Sequence, residues 1–197
     1  MTVTADAVVR CLDAASGLLE RRLHGHRAAV WSVAGLGDGR FVTAGADVTT
    51  RLWDVSGRAD AVLRTGGAGG SGVRGVACSP DGRLVATATA SGRLLLWDAV
   101  TCRVSAEVPA GRSRVNAVEF SPGGDFVATA CGDGSVGIAA VTGSGEGRQV
   151  RPHAGAAFAV RFSADGRRIA SAGADRDRKS TRLNSSHAIT SRMPSSA

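Results

Sequence analysis

Tyrosine is absent from this 197-residue chain, and lysine occurs once, at Lys179. Aromatic residues are only 4%, while glycine reaches 27. That balance favours many short turns over long helices. The four cysteines, Cys11, Cys78, Cys102 and Cys131, contain no C-x-x-C pair, so the spacing of a metal site is missing. They read as buried free thiols of a reducing compartment. The N-terminus, MTVTADAVVR, has neither a basic stretch nor a long apolar one, so no secretory signal is evident. No run of apolar residues approaches the length of a membrane span. An intracellular, cytoplasmic protein is expected, with the nucleus left open. A basic run is missing too. The net charge is +7, but Arg178, Lys179, Arg182 and Arg192 against Asp177 supply +3 of it. The remaining arginines are spread evenly, which argues against a nucleic-acid or membrane patch.

What the chain does have is self-similarity. Four segments align: SVAGLGDGRFVTAG from Ser32, GVACSPDGRLVATA from Gly75, AVEFSPGGDFVATA from Ala117 and AVRFSADGRRIASA from Ala159. Their starts are 43, 42 and 42 residues apart. Each opens with apolar residues two apart, such as Val118 and Phe120, the period of a half-buried strand. A turn of the SPDG type follows, then a second strand, a polar turn, a third strand such as LLLWD and a fourth such as RVSAEV. Four antiparallel strands per unit, with no helical period, stack radially into a propeller.

Gly25-His26 before a first strand, and Trp53-Asp54 and Trp97-Asp98 closing third strands, complete the pattern. The unit resembles the WD40 repeat over about residues 6–176. It departs from it at Ala139-Ala140, where Trp-Asp would stand, and at Cys11-Leu12-Asp13 in the N-terminal fragment. The resemblance implies an all-β fold: a partial propeller, open as an arc, with three full four-stranded blades and two partial ones. Full blades are expected at about 28–64, 73–108 and 114–151, within repeats of about 24–64, 65–108, 109–151 and 152–176. Residues 6–23 supply two outer strands of a blade and 157–172 two inner ones. These halves could make one composite blade.

The last residues break the pattern. Asp175 predicts a third strand ending near position 181, yet the chain runs RDRKSTRLNSS. Asp177–His187 and Ser191–Ala197 resemble the two constant parts of a translated sequencing adapter, with Ala188–Thr190 filling the index between them. Residues 177–197 are therefore expected to be non-native and disordered, and the propeller C-terminally truncated. Asn184-Ser185-Ser186, a glycosylation pattern, carries no function on this reading.

His26, Thr43, Asp47 and Trp53 invite comparison with a catalytic triad. The family resemblance implies instead a buried structural tetrad, in which indole, hydroxyl, imidazole and carboxylate bond in series. Parts of it recur in register as Thr87 and Trp97, Thr129 and Asp133, and His153, Ser171 and Asp175. A brace has reason to recur every 42 residues; an active site has none. Gly132–Gly137 matches G-x-G-x-x-G but sits between two strands, and the glycine loop Thr65–Gly72 lacks the lysine and helix of a phosphate cradle. No catalytic residue, cofactor or metal is expected.

One slot varies while the frame around it repeats: Trp31, Arg74, Asn116 and Phe158. The resemblance places it on the narrower rim, where partners often dock, which makes these four the candidate partner-binding residues. The expected work is that of a protein–protein interaction scaffold without catalysis, its partner unnamed by the sequence. Two other readings are a regulatory propeller region of a larger enzyme, such as a kinase, whose catalytic part is missing, and arginine-mediated nucleic-acid binding.

Overall fold

The computed structural model describes residues 6–54, 56, 59–64, 72–108, 110, 113–142, 147–175 and 187–189. Most of the Thr65–Gly72 loop, and the tail apart from 187–189, lie outside the described residues. All regular structure described is β. A two-stranded sheet of β1 (Val9–Leu12) and β2 (Leu19–Leu23) comes first. Three four-stranded meanders follow: β3 (Val30–Gly35), β4 (Phe41–Gly45), β5 (Thr49–Trp53) and β6 (Ala59–Arg64); β7 (Val73–Cys78), β8 (Leu84–Thr89), β9 (Leu94–Asp98) and β10 (Val104–Val108); β11 (Val115–Phe120), β12 (Phe126–Cys131), β13 (Val136–Ala140) and β14 (Arg148–Val150). The last sheet holds β15 (Ala157–Phe162), β16 (Ile169–Gly173) and β17 (His187–Ile189). All pairings are antiparallel, in chain order. Three full four-stranded blades thus stand between a two-stranded sheet and a three-stranded one.

The turns explain why the meander forms. Between first and second strands, Gly82, Gly124 and Gly166 take φ of +69°, +80° and +69°, a region that side chains resist. Ser79 Oγ donates to Asp81 Oδ1 (2.6 Å) and accepts from Leu84 N (2.9 Å), closing the reversal. After the third strand the aspartate does the same work. Asp98 Oδ1 accepts from Val100 N, Thr101 N and Thr101 Oγ1, and this array holds its carboxyl below the usual range. Asp13 repeats it with Ser16, so the N-terminal fragment keeps the turn although Leu12 replaces tryptophan.

Separate apolar cores join each sheet to the next. Val9 and Leu23 pack on Val30 and Trp53; Val42 and Ala44 on Val73 and Val76; Ala86 and Ala88 on Val115 and Val118; Ala128 and Ala130 on Ala157 and Val160. None of these cores joins β15 or β16 to β1 or β2, and the described strands do not pair across that gap. Among the described residues the sheets form an open arc. Among the described residues no helix is long and apolar enough to cross a membrane.

The expectation of a disordered tail does not hold for three of its residues. His187–Ile189 pair with Ile169–Ser171 as a third strand. Backbone pairing makes no demand on side-chain pattern, so the edge of β16 accepts an extended segment that lacks the repeat's apolar code. The cysteines differ from expectation as well: all four are free thiols, but only Cys131 is fully buried.

Candidate functional site: a repeated polar network and a rim of bulges

The loop that enters each blade and the turn between its second and third strands are tied together. Ala46, Ala90, Gly132 and Ala174 donate their N–H to the carbonyls of Ala29, Gly72, Arg114 and Ala156. That shared rim carries both constellations.

In the first full blade the network is complete. Trp53 Nε1–H, a donor only, gives its hydrogen to Thr43 Oγ1 at 2.8 Å. Thr43 Oγ1 lies 2.8 Å from His26 Nε2, and His26 Nδ1 lies 2.9 Å from Asp47 Oδ2. Burial is the main reason the His26 pKa falls below its ordinary value, in spite of the pull of Asp47. The ring is therefore neutral: Nδ1–H donates to Asp47 and Nε2 accepts the Thr43 hydroxyl. Burial would raise the Asp47 pKa, but the Arg27 N–H, the Thr49 hydroxyl and His26 together hold it below the usual carboxylate range. Every donor in the series meets one acceptor.

The other blades keep parts. His153 Nε2 meets Ser171 Oγ, and its Nδ1 meets Asp175 Oδ2, both at 2.9 Å. Trp97 Nε1 donates to Thr87 Oγ1 at 2.9 Å, and that hydroxyl turns to Leu95 O. The third full blade has neither ring. Ala139 replaces the indole, and the buried Thr129 Oγ1 has no hydrogen-bond partner. Its neighbour Cys131, a thiol whose pKa burial raises, donates to Ala110 O at 3.1 Å. Asp133 binds Ser135 rather than a histidine.

A rule governs which blades hold histidine. The last residue of the second strand is Gly45 or Gly173 where the ring is present, and Thr89 or Cys131 where it is not. A Cβ on Gly173 would lie 2.7 Å from His153 Cγ, and one on Gly45 would lie 2.7 Å from Ala29 O and 3.4 Å from His26 Nδ1. At Gly173 the missing Cβ leaves room for the imidazole and the Ala156 carbonyl, and at Gly45 for the Ala29 carbonyl of the loop that carries His26.

Trp31, Arg74, Asn116 and Phe158 share a second feature. Pairing shifts register between Val30 and Ser32, Val73 and Gly75, Val115 and Ala117, and Ala157 and Ala159. Each of the four is thus the extra residue of a β-bulge, a device that re-aims a side chain. Trp31 and Phe158 remain 39% and 54% exposed. The Arg74 guanidinium lies 4.7 Å from the centroid of the Trp31 ring. Asn116 Nδ2 donates to Ala157 O of the next blade at 2.7 Å. Trp31, Arg74 and Asn116 also border a cleft of about 550 Å³ along the inner strands, together with Glu119, Arg161 and Phe162. Glu119 bridges two blades there by accepting from Phe162 N at 2.7 Å. Gly132–Gly137, the phosphate-loop lookalike, spans the turn from β12 to β13. Among the described residues no cluster of histidine, cysteine, aspartate or glutamate could hold a metal ion.

Residues 17–54, 61–98, 104–138 and 146–177 match the family model of the WD domain, G-beta repeat. The chain belongs to the WD40 family. Each WD40 match begins just before or within the last strand of one sheet and runs into the next sheet. Nuclear distribution protein PAC1-2 of Uncinocarpus reesii (strain UAMH 1704) is 41% identical over 58 residues. The match covers 29% of this chain and 13% of that protein's length.

Proposed function

We propose that this WD40 region is a docking scaffold for other proteins and performs no chemistry of its own. The observation that carries the reading is the contrast on the rim. The frame repeats, whereas the bulge residues Trp31, Arg74, Asn116 and Phe158 differ in every blade. Trp31 and Phe158 are the anchors, large rings left partly wet, and Arg74 is stacked ready beside one of them. Asn116 contributes by fixing the neighbouring bulge through Ala157. The partner is a protein or peptide, in an intracellular and cytoplasmic setting that suits four free thiols.

The tetrad belongs to the frame. Thr43–His26–Asp47 and Ser171–His153–Asp175 have the spacing of hydrolytic triads, but both hydroxyls and both rings are buried. Thr43 Oγ1 is also engaged by the Trp53 indole. No substrate carbonyl can approach such a hydroxyl without opening the blade.

The test is selection of a random peptide library on the immobilised chain. Trp31→Ala and Phe158→Ala should each weaken the selected peptides by roughly tenfold or more, the scale of an interface anchor. Leu19→Ala, in a half-blade, should change nothing. Selected peptides indifferent to both aromatic substitutions would overturn the assignment of the rim.

A further inference from the structure

The cleft along the inner strands holds one charge that no described residue answers, and we infer that it receives a carboxylate of an extended acidic peptide. This names the partner's chemistry for the docking reading and rests on that reading. Three charged side chains border the cleft: Arg74, Glu119 and Arg161. Two of them answer each other. Arg161 Nη1 lies 3.3 Å from Glu119 Oε1, and Glu119 Oε2 accepts from Phe162 N at 2.7 Å. Arg74 is the third. Among the described residues its Nε, although buried, meets no acceptor, and no carboxylate pairs with it. Of the four bulge residues, Arg74 alone is charged.

The guanidinium is held in place all the same. Its Cζ lies 4.7 Å from the centroid of the Trp31 ring. That ring is itself seated, since a Cβ on Gly72 would lie 2.6 Å from Trp31 Cζ3. Stacking engages the flat face of a guanidinium and leaves the N–H groups along its edge. A cation fixed in this way presents a fork that fits the two oxygens of a carboxylate.

Local charge selects the carboxylate over a phosphate. Two arginines against one glutamate leave the cleft at +1, which a single carboxylate neutralises. A phosphate ester carries about −1.5 to −2 near neutral pH, and Glu119 repels the excess. Shape selects a peptide over a small acid. The cleft follows five positions on each of three inner strands, Trp31–Gly35, Arg74–Cys78 and Asn116–Phe120. Five residues of strand span about 16 Å at ~3.3 Å each, several times the reach of one amino acid. Ala34, Gly75, Ala77 and Ala117 keep the cleft wide. An extended segment lies along it with its acidic residue at the rim, on Arg74, and its neighbours beside these small residues.

The test starts from peptides selected on the full chain. Each is remade with its acidic residue replaced by the matching amide, asparagine or glutamine. Both forms are titrated by calorimetry into the parent chain, Arg74→Gln and Arg74→Lys. The expected result is an aspartate or glutamate shared by the peptides that need Trp31. The amide form should bind the parent chain about tenfold or more weakly, whereas Arg74→Gln should bind the two forms alike. Arg74→Lys should still prefer the acid but hold it more weakly, because an ammonium lacks the planar fork. The first comparison alters the peptide alone, so a misfolded variant cannot imitate it. Peptides that need Trp31 but share no acid would leave the docking reading standing and overturn this inference. So would an equal loss on amidation with the parent chain and Arg74→Gln. Phosphoserine in place of the acid, bound about tenfold more tightly, would assign the site to phosphate and overturn it too. A library that yields no peptide dependent on Trp31 would overturn both.

Discussion

Thr43 and Thr129 hold the same place in two blades and meet opposite fates. Thr43 Oγ1 joins the Trp53 indole to His26, whereas Thr129 Oγ1 is buried without a partner. The same substitution should therefore have unequal consequences. Thr43→Val leaves an indole N–H and an imidazole nitrogen unpaired and should cost about 2–4 kcal/mol. Thr129→Val removes a hydroxyl that serves neither an indole nor an imidazole, with only the Cys131 thiol beside it, and should change stability by less than about 1 kcal/mol. Urea titration of the full chain reads both. The histidine adds a pH dependence. An unfolded His26 takes its proton near 6.5, and the folded one takes it at lower pH because burial disfavours the charge. Stability is thus intact above about pH 6.5 and falls as pH drops towards the folded value. Asp47, held below its ordinary value of 3.8, adds a second loss at lower pH as it protonates. His26→Gln should flatten the upper part of the curve and lessen the lower loss without abolishing it, because Arg27 N–H and the Thr49 hydroxyl still hold Asp47 down, as measured by melting temperature against pH.

At the scale of the element, blades come in two kinds, and the difference is steric. Where histidine enters, glycine ends the second strand; where it does not, Thr89 or Cys131 fills the space. Gly173→Cys should cost about 2–3 kcal/mol while His153 is present, since the new Cβ meets both the ring and the Ala156 carbonyl. With His153→Gly alongside, the second cost should shrink, giving a coupling of roughly 1–2 kcal/mol in a double-mutant cycle. Strands and turns were legible in the sequence because a period of two and a glycine with positive φ are local demands, as at Leu84–Thr89 and Gly82. The bulges were not read, although a signal was there. Val30 and Val33, Val73 and Val76, and Val115 and Val118 are three apart, a spacing that period two forbids unless a residue is extra. The varying slot was visible, but its cause was not, because a bulge is defined by a partner strand. The glycine–histidine rule depends likewise on a contact across some twenty residues, and the strand at His187–Ile189 on an open edge rather than on its own residues.

The whole molecule separates a repeated frame from a varied rim, and two tryptophans of the first full blade stand one on each side of that division. Trp53 is 1% exposed, stacks on Phe41 at 6.3 Å and gives its indole hydrogen to Thr43. Trp31 sits on a bulge, partly wet, with Arg74 over its face. Replacing each by alanine in the full chain, and recording unfolding and peptide binding on the same samples, tests the central claim most directly. The account predicts a crossed result. Trp53→Ala loses about 3–5 kcal/mol of stability through the vacated core and the unpaired Thr43. Trp31→Ala unfolds within about 1 kcal/mol of the parent yet binds the selected peptides at least tenfold more weakly. A Trp53→Ala chain as stable as the parent, or a Trp31→Ala chain as damaged as Trp53→Ala with its binding intact, would contradict it.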